Sequence, residues 1–339
     1  MRWLIVGAGA IGATLAAWMD EVGLDVTLVA RPRTAPELSA SGITVRDGAK
    51  TISRRVRVVP SVADAPVTDA VILATKTGAV GQAATEVRAR YGPECPALAL
   101  QNGAAHLTML PAILPRTIFG IAAYNVWSES PGVFGARERG PIAMGATTPD
   151  LDALVRSSAQ ELGRALPVRV TDRIVDAIHH KIVVNLANSI TTLVGAGFRE
   201  VPDRADLRRM TTAVLWEGMC VIRGAGYRPV RGAGMPPPAI LWAGAHLPDR
   251  LTRKLIERNM SRMAVSSMAQ DVIGRGRANT ELDAINGRIV ELARERGIAA
   301  PLNIALFDLC RTEFAKGVAF APWNPARAWA EIRRRAGSR

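Results

Sequence analysis

RWLIVGAGAIGATLAAWMDEVGLDVTLVAR, residues 2 to 31, decides the fold. Trp3 to Val6 is a short apolar run, the pattern of a parallel strand buried on both faces. It runs into Gly7-Ala8-Gly9-Ala10-Ile11-Gly12, followed by an alanine-rich helical stretch up to Gly23, and Asp25 to Ala30 reads as the next strand. Glycines in a G-x-G-x-x-G array say little alone. Strand, glycines, helix and strand within about thirty residues make them a dinucleotide cradle. Gly7 then supplies the tight turn, Gly9 the close approach of a pyrophosphate, and Gly12 the packing of helix on strand. Ala8, Ala10 and Ile11 complete the loop, and the helix N-terminus faces the phosphates.

The same stretch could be mistaken for a secretory leader. Three glycines inside the apolar run and Asp20-Glu21 directly after it argue against that, and no other segment reaches membrane-spanning length without polar residues. Cys95, Cys220 and Cys310 are far apart, odd in number and without a Cys-x-x-Cys, which fits thiols in a reducing cytoplasm. His106, His179, His180 and His246 show no metal-ligand spacing, so no metal is expected.

The end of the second strand speaks about the cofactor. An NAD-binding unit usually carries a carboxylate there, holding the ribose hydroxyls. This chain has Arg31, then Pro32 and Arg33. A guanidinium pairs with a 2′-phosphate where a carboxylate would repel it, so NADPH/NADP+ is expected. Further apolar runs, AVILATK (70–76) and ALALQNG (97–103), end in Lys76 and Asn102. Ligands gather at the carboxyl ends of strands in open α/β sheets, which makes both residues candidates for cofactor contact. IFGIAAYNVW (118–127) and PIAMGA (141–146) read as the strands that finish this domain.

At 339 residues the chain can hold two domains, each with its own core, and a composition 48% hydrophobic and 22% charged excludes a disordered chain. A net charge of +13 raises the question of nucleic acid, but the basic residues are scattered and no recognition motif or aromatic platform accompanies them. Neither a nucleic-acid nor a membrane partner is expected; attraction for a small anionic substrate is. Of the 43 basic residues only Lys50, Lys76, Lys181, Lys254 and Lys316 are lysine. Arginine cannot release a proton near neutral pH and a desolvated lysine can, so each lysine carries weight.

From about residue 172 the pattern turns helical, and we place the division at 1–171 and 172–339. In HHKIVVNLANSI (179–190), Lys181, Asn185 and Asn188 interrupt an apolar segment at spacings of four and three. On a helix those positions share one face, which either meets solvent or lines a polar cavity. Thr171 or Asp172 would start this helix and Gly195 with Gly197 would end it. A further helix spans roughly 204–224, and RGAGMPPPAILWAGAHLPDR (231–250) reads as an insertion-like loop. Thr280-Glu281-Leu282-Asp283 opens an amphipathic helix that ends at Gly297.

Taken together, GAGAIG, Lys76 in ATKT, QNG around Asn102, HHKIVVNLAN, SMAQD with Ser267, and TELDAING with Glu281 resemble the ketopantoate reductase (2-dehydropantoate 2-reductase) family, in order from residue 1 to about 316. The resemblance implies an N-terminal Rossmann domain, a doubly wound parallel sheet, followed by an all-helical C-terminal domain of the 6-phosphogluconate-dehydrogenase-like kind. It implies NADPH-dependent reduction of 2-dehydropantoate to (R)-pantoate, on the route to pantothenate and coenzyme A. Lys181 would be the active-site lysine, Glu281 its catalytic partner, and Asn185 the substrate-binding amide. Asn102 and Ser267 join Asn185 on the substrate. A second amide is expected eight residues after the lysine; here position 189 is serine and the asparagine stands at 188, so Asn188 and Ser189 are both candidates. Two other readings fit the same residues: a reductase of a different 2-oxo acid, and a non-catalytic NADP-binding sensor. A homodimer is compatible with the sequence.

Overall fold

In the computed structural model, residues 1–48, 50–201, 204–230, 237–260, 266–278 and 280–338 are described. The chain forms two units, Met1–Val175 and Asp176–Arg339.

The first unit opens with β1 (Arg2–Val6), α1 (Ala10–Glu21), β2 (Asp25–Val29), α2 (Ala35–Ser41), β3 (Ile43–Asp47), β4 (Lys50–Arg54) and β5 (Arg57–Val59). It continues with β6 (Ala70–Leu73), α3 (Val80–Tyr91), β7 (Ala97–Ala99), α4 (His106–Ile113), β8 (Thr117–Ala122), β9 (Val126–Ser130), β10 (Val133–Ala136) and β11 (Ile142–Gly145), and closes with α5 (Asp152–Leu162) and β12 (Val168–Val170). Eight strands form one sheet in the order β12-β11-β8-β7-β6-β1-β2-β5. All its pairs are parallel except β8 with β11. The expected doubly wound sheet is therefore present, with one antiparallel junction. Chain order leaves β1 towards β2 on one side and returns at β6 on the other, which makes the carboxyl ends of β1 and β6 the switch point where such sheets bind ligands.

A second sheet, four strands in the order β4-β3-β10-β9, was not legible in the sequence. It covers the side of α1 turned away from the large sheet, which is why the alanine-rich helix is buried all round from Gly12 to Met19. Small side chains let both sheets approach. Trp18 meets Tyr124 edge-on at 5.4 Å, and the Arg139 guanidinium lies over the Trp18 ring while pairing with Glu21 and Asp47 at 2.7 and 3.0 Å. The apolar stretch 118–127, read as one strand, is two. Residues 123–125 leave the ladder, Tyr124 buries its ring against Trp18, and β9 joins the other sheet.

The second unit is helical: the lysine-bearing α6 (Ile174–Val194), then α7 (Ala205–Gly224), α8 (Pro238–His246), α9 (Asp249–Met260), the single turn α10 (Ser267–Ala269), α11 (Arg288–Arg296), α12 (Pro301–Phe314) and α13 (Pro325–Gly337). Gly218 of α7 has no side chain, and a Cβ there would lie 2.6 Å from Leu186, so the glycine lets α7 close on α6. Two π-helical turns, Gln270–Gly274 and Asp283–Gly287, interrupt the regular helices. The stretch 231–250 is corrected from its reading as a loop: residues 231–236 lie outside the described residues, while Pro238–His246 and residues from Asp249 onward are helical. Pro237 and Pro238 mark a helix start here, where proline's missing N–H costs nothing, and not a break. The helix expected from Thr280 begins instead with the π turn and becomes regular at Arg288; Gly297 ends it in the left-handed conformation, φ +62°.

Candidate active site

The cradle is built from backbone. Gly7 has φ +116°, and a Cβ on it would stand 2.9 Å from the backbone of Ala74 and Thr75. A Cβ on Gly12 would stand 2.0 Å from the Gly7 carbonyl oxygen, a collision that no rotamer relieves. These two glycines are required by the protein itself. Gly9 differs: it is the N-cap of α1, and among the described residues nothing lies within 4 Å of the place a Cβ would occupy. Packing does not explain a glycine there, and the open space leaves room for a ligand to approach the backbone. The first turn of α1 carries no acidic residue and no side-chain cap, so its N–H groups remain turned to whatever anion arrives. Ala8, Ala10 and Ile11 are half-buried in the same loop.

The neighbouring strand ends are stitched to this turn. The Gly7 N–H donates to the Val29 carbonyl at 3.1 Å, and the Ala74 N–H donates to the Val6 carbonyl at 2.9 Å. Arg31, exposed, therefore stands on the same edge of the sheet as the glycines. Lys76 follows the end of β6 and is exposed; Asn102 follows the end of β7 and is half-buried. Gln101, buried, donates from Nε2 to the carbonyls of Leu73 and Thr75 at 2.7 and 3.1 Å, and Thr77 Oγ1 donates to the Asn102 carbonyl at 2.9 Å. Two buried oxygens at this edge, Thr75 Oγ1 and Gln101 Oε1, have no hydrogen-bond partner among the described residues. Open space at Gly9, an uncapped helix N-terminus and these orphaned acceptors fit a bound dinucleotide.

In the second unit α6 presents a mixed face. Ile182, Val183, Leu186, Ala187, Ser189 and Ile190 are buried, whereas Lys181, Val184, Asn188 and Thr191 are half-buried, and Asn185 is 7% exposed at the margin of that strip. The polar row thus follows the least covered line of an otherwise interior helix. Burial pushes the Lys181 ammonium below the ordinary lysine range. His179 and His180 turn the other way: His179 stacks on Tyr227 at 3.6 Å, and His180 Nδ1 lies 2.9 Å from the Asp176 carbonyl.

Asn188 and Ser189 part company. At about 100° per residue, position 188 returns to the face of Lys181 and position 189 turns inward. Ser189 Oγ donates to the Leu186 carbonyl at 2.8 Å and accepts from Asn286 Nδ2 at 3.0 Å. Asn286 sits in the second π turn, fully buried, so this bond ties α6 to the segment that follows Glu281. Glu281 is half-buried, and its carbonyl accepts from the Ile285 N–H at 3.0 Å. Ser267 is exposed at the start of α10, whose cap is its neighbour: Ser266 Oγ accepts from the Ala269 N–H at 3.1 Å and lies 3.5 Å from Thr192 Oγ1 of α6. Asp271, buried in the first π turn, pairs with Arg275 and Arg277 at 3.1 and 3.4 Å. Gln101, Asp271 and Asn286 lie inside the motifs QNG, SMAQD and TELDAING and Ser266 directly precedes SMAQD, but none was named as a site residue from sequence; only their bonding distinguishes them.

A glycine turn open at a helix N-terminus and a desolvated lysine on a helical second unit fit a two-unit oxidoreductase built on a dinucleotide fold. Family models carry this further: the one described as ketopantoate reductase PanE/ApbA matches residues 3–149, and its C-terminal counterpart matches residues 173–313. The chain belongs to the ketopantoate reductase family. It is 28% identical to a 2-dehydropantoate 2-reductase of Pyrococcus horikoshii over 94% of this chain and 99% of that protein, and 28% identical to that of Caulobacter vibrioides over 90% and 96%. Among solved structures it is similar to D-mandelate dehydrogenase with NADH and anilino(oxo)acetate (TM-score 0.78, 20% identity, 93% of this chain and 98% of that one). A 2-dehydropantoate 2-reductase from Geobacter metallireducens matches with TM-score 0.76 and 21% identity over 92% and 99%. At these identities the structural likeness concerns the fold.

Proposed function

We propose that the protein reduces 2-dehydropantoate to (R)-pantoate with NADPH, serving pantothenate and coenzyme A synthesis. The observation that carries this reading is Lys181: an ammonium made easier to deprotonate by burial, one helical turn from Asn185, in a chain matched by both family models. When bound, the reduced nicotinamide supplies hydride to the C2 carbonyl carbon. Lys181 then stabilises the negative charge gathering on the carbonyl oxygen and gives it the proton that completes the alcohol. Glu281 aims the ammonium. Asn185, Asn188 and Asn102 hydrogen-bond the substrate's hydroxyl and carbonyl oxygens, and Ser267 grips its carboxylate. Ser189 contributes from behind, through its bond to Asn286. On the cofactor, the Gly7–Gly12 loop and the N-terminus of α1 take the pyrophosphate, and Arg31 with Lys76 favours the 2′-phosphate of NADPH over NADH.

A second reading, reduction of a different 2-oxo acid, is favoured by the placement of the second amide: Asn188 stands one residue before the expected position, and the residue at 189 is a serine turned inward onto Asn286. The test is NADPH consumption by the wild-type protein with 2-dehydropantoate and with a panel of 2-oxo acids of varied side chain. Turnover highest with 2-dehydropantoate supports the first reading and turnover highest with another acid the second. Dinucleotide binding without turnover of any acid overturns both in favour of a sensor.

A further inference from the structure

We propose that Gln101 is a positioning residue for dinucleotide binding, holding the Ala74–Thr75 segment against Gly7 and thereby setting the shape of the phosphate turn. The inference rests on the reading of the Gly7–Gly12 loop as a dinucleotide site.

The backbone ladder between β6 and β7 ends with the Leu100 N–H donating to the Leu73 carbonyl at 3.1 Å. Beyond that bond residues 74–77 and 101–103 separate, yet they carry Lys76 and Asn102. Gln101 continues the ladder with its side chain: Nε2 donates again to the Leu73 carbonyl at 2.7 Å and reaches two residues further to the Thr75 carbonyl at 3.1 Å. Thr77 Oγ1, donating to the Asn102 carbonyl at 2.9 Å, ties the loops in the opposite direction. The far side of Ala74–Thr75 is Gly7, in contact so close that a Cβ would not fit. The segment is thus clamped between the glycine turn and the Gln101 amide. Release of the amide lets Thr75 move, and the space left for Gly7 changes with it. A buried amide with two carbonyl acceptors is a costly group to keep for packing alone, since an apolar side chain of its length would fill the volume.

Gln101→Met keeps length and burial and removes both donors; Thr77→Val removes the reverse tie from the more accessible side. Dissociation constants for NADPH and NADH are read from dinucleotide fluorescence, alongside thermal unfolding, kcat at saturating cofactor and substrate KM. The expected result is an approximately tenfold weaker dinucleotide in Gln101→Met and a smaller loss in Thr77→Val, with most of kcat kept at saturation and substrate KM little moved. A purely structural role lowers the unfolding temperature and leaves the dissociation constant within twofold, and that result overturns the inference. Gln101→Met that fails to fold, with Thr77→Val binding like wild type, also overturns it. Wild-type protein that binds neither dinucleotide overturns the reading of the loop and this inference with it. Wild type that binds while Gln101→Met binds equally well overturns this inference alone.

Discussion

The glycine turn after β1 and the polar strip of α6 answer to different kinds of constraint. At the turn, the candidate site is defined by what is missing. Gly7 and Gly12 lack side chains because neighbouring backbone occupies the space, and Gly9 lacks one where the protein itself needs none. On α6 the candidate site is defined by which of many side chains remain uncovered, and Lys181, Asn185 and Asn188 stand out only because α7, α12 and the π turn bury the rest of the helix. A site made of backbone tolerates no added atom. A site made of side chains tolerates changes of size and fails on changes of chemistry.

The comparison is tested hardest at Lys181. Lys181→Ala is expected to lower kcat by about a thousandfold and leave the dinucleotide dissociation constant unchanged, as removal of a proton donor and charge stabiliser does. Lys181→Arg, which preserves charge, fails to rescue it because a guanidinium holds its proton. In the wild type the rate falls as pH rises through the depressed lysine pKa, below the ordinary 10.5, and that limb disappears in the alanine variant. A kcat within tenfold of wild type in Lys181→Ala would show that the strip is not the reacting face.

Next in size is the contrast within the cradle. Gly12→Ala places a Cβ in the Gly7 carbonyl and is expected to destabilise the first unit by about 3 kcal/mol, seen in denaturant unfolding. Gly9→Ala, with open space around it, stays within about 0.5 kcal/mol of wild type and instead weakens dinucleotide binding. Equal effects on stability would mean that Gly9, too, is held by packing.

His106 provides a comparable effect outside the site. Its ring is fully buried against Phe119 with neither nitrogen partnered among the described residues, and burial lowers its pKa to about 4 from an ordinary 6.5. Between those values the unfolded chain takes up a proton that the folded chain refuses, so stability falls as pH drops through the window, by about 3 kcal/mol in all. Unfolding measured at pH 7, 5.5 and 4 should show this slope in the wild type and lose it in His106→Phe.

Smallest is Arg31→Ala. Loss of a charge-assisted bond to the 2′-phosphate is expected to weaken NADPH about tenfold while leaving NADH unchanged, read as the ratio of the two dissociation constants. A ratio that does not move would place the discrimination elsewhere, with Lys76 the next residue to change.

How much could be read without the structure follows the same division. The strands Trp3–Val6 and Asp25–Ala30, the glycine spacing and the stop at Gly297 follow from local rules of burial and backbone freedom, and the fold bears them out. The second sheet escaped because β3 and β4 bury only Ile43, Val45 and Ile52 between arginines, threonines and serines, a pattern too short to separate from loop. The helix at 238–246 escaped because proline was read as a breaker where it is an initiator, whereas the helix expected ahead of SSMAQDV is present at Asp249–Met260.

The sequence by itself determined the doubly wound sheet, the family, and the residue types available for chemistry. Chain-local physics suffices there: a glycine with positive φ or an apolar run of strand length means nearly the same thing in any surroundings. Tertiary structure alone decided that Ser189 is bonded to Asn286 and that Gln101 holds the segment beneath Gly7. Each of these depends on which group lies within about 3 Å of a polar atom. Partners between 26 and 97 positions apart in the chain set that distance, and no local pattern records it.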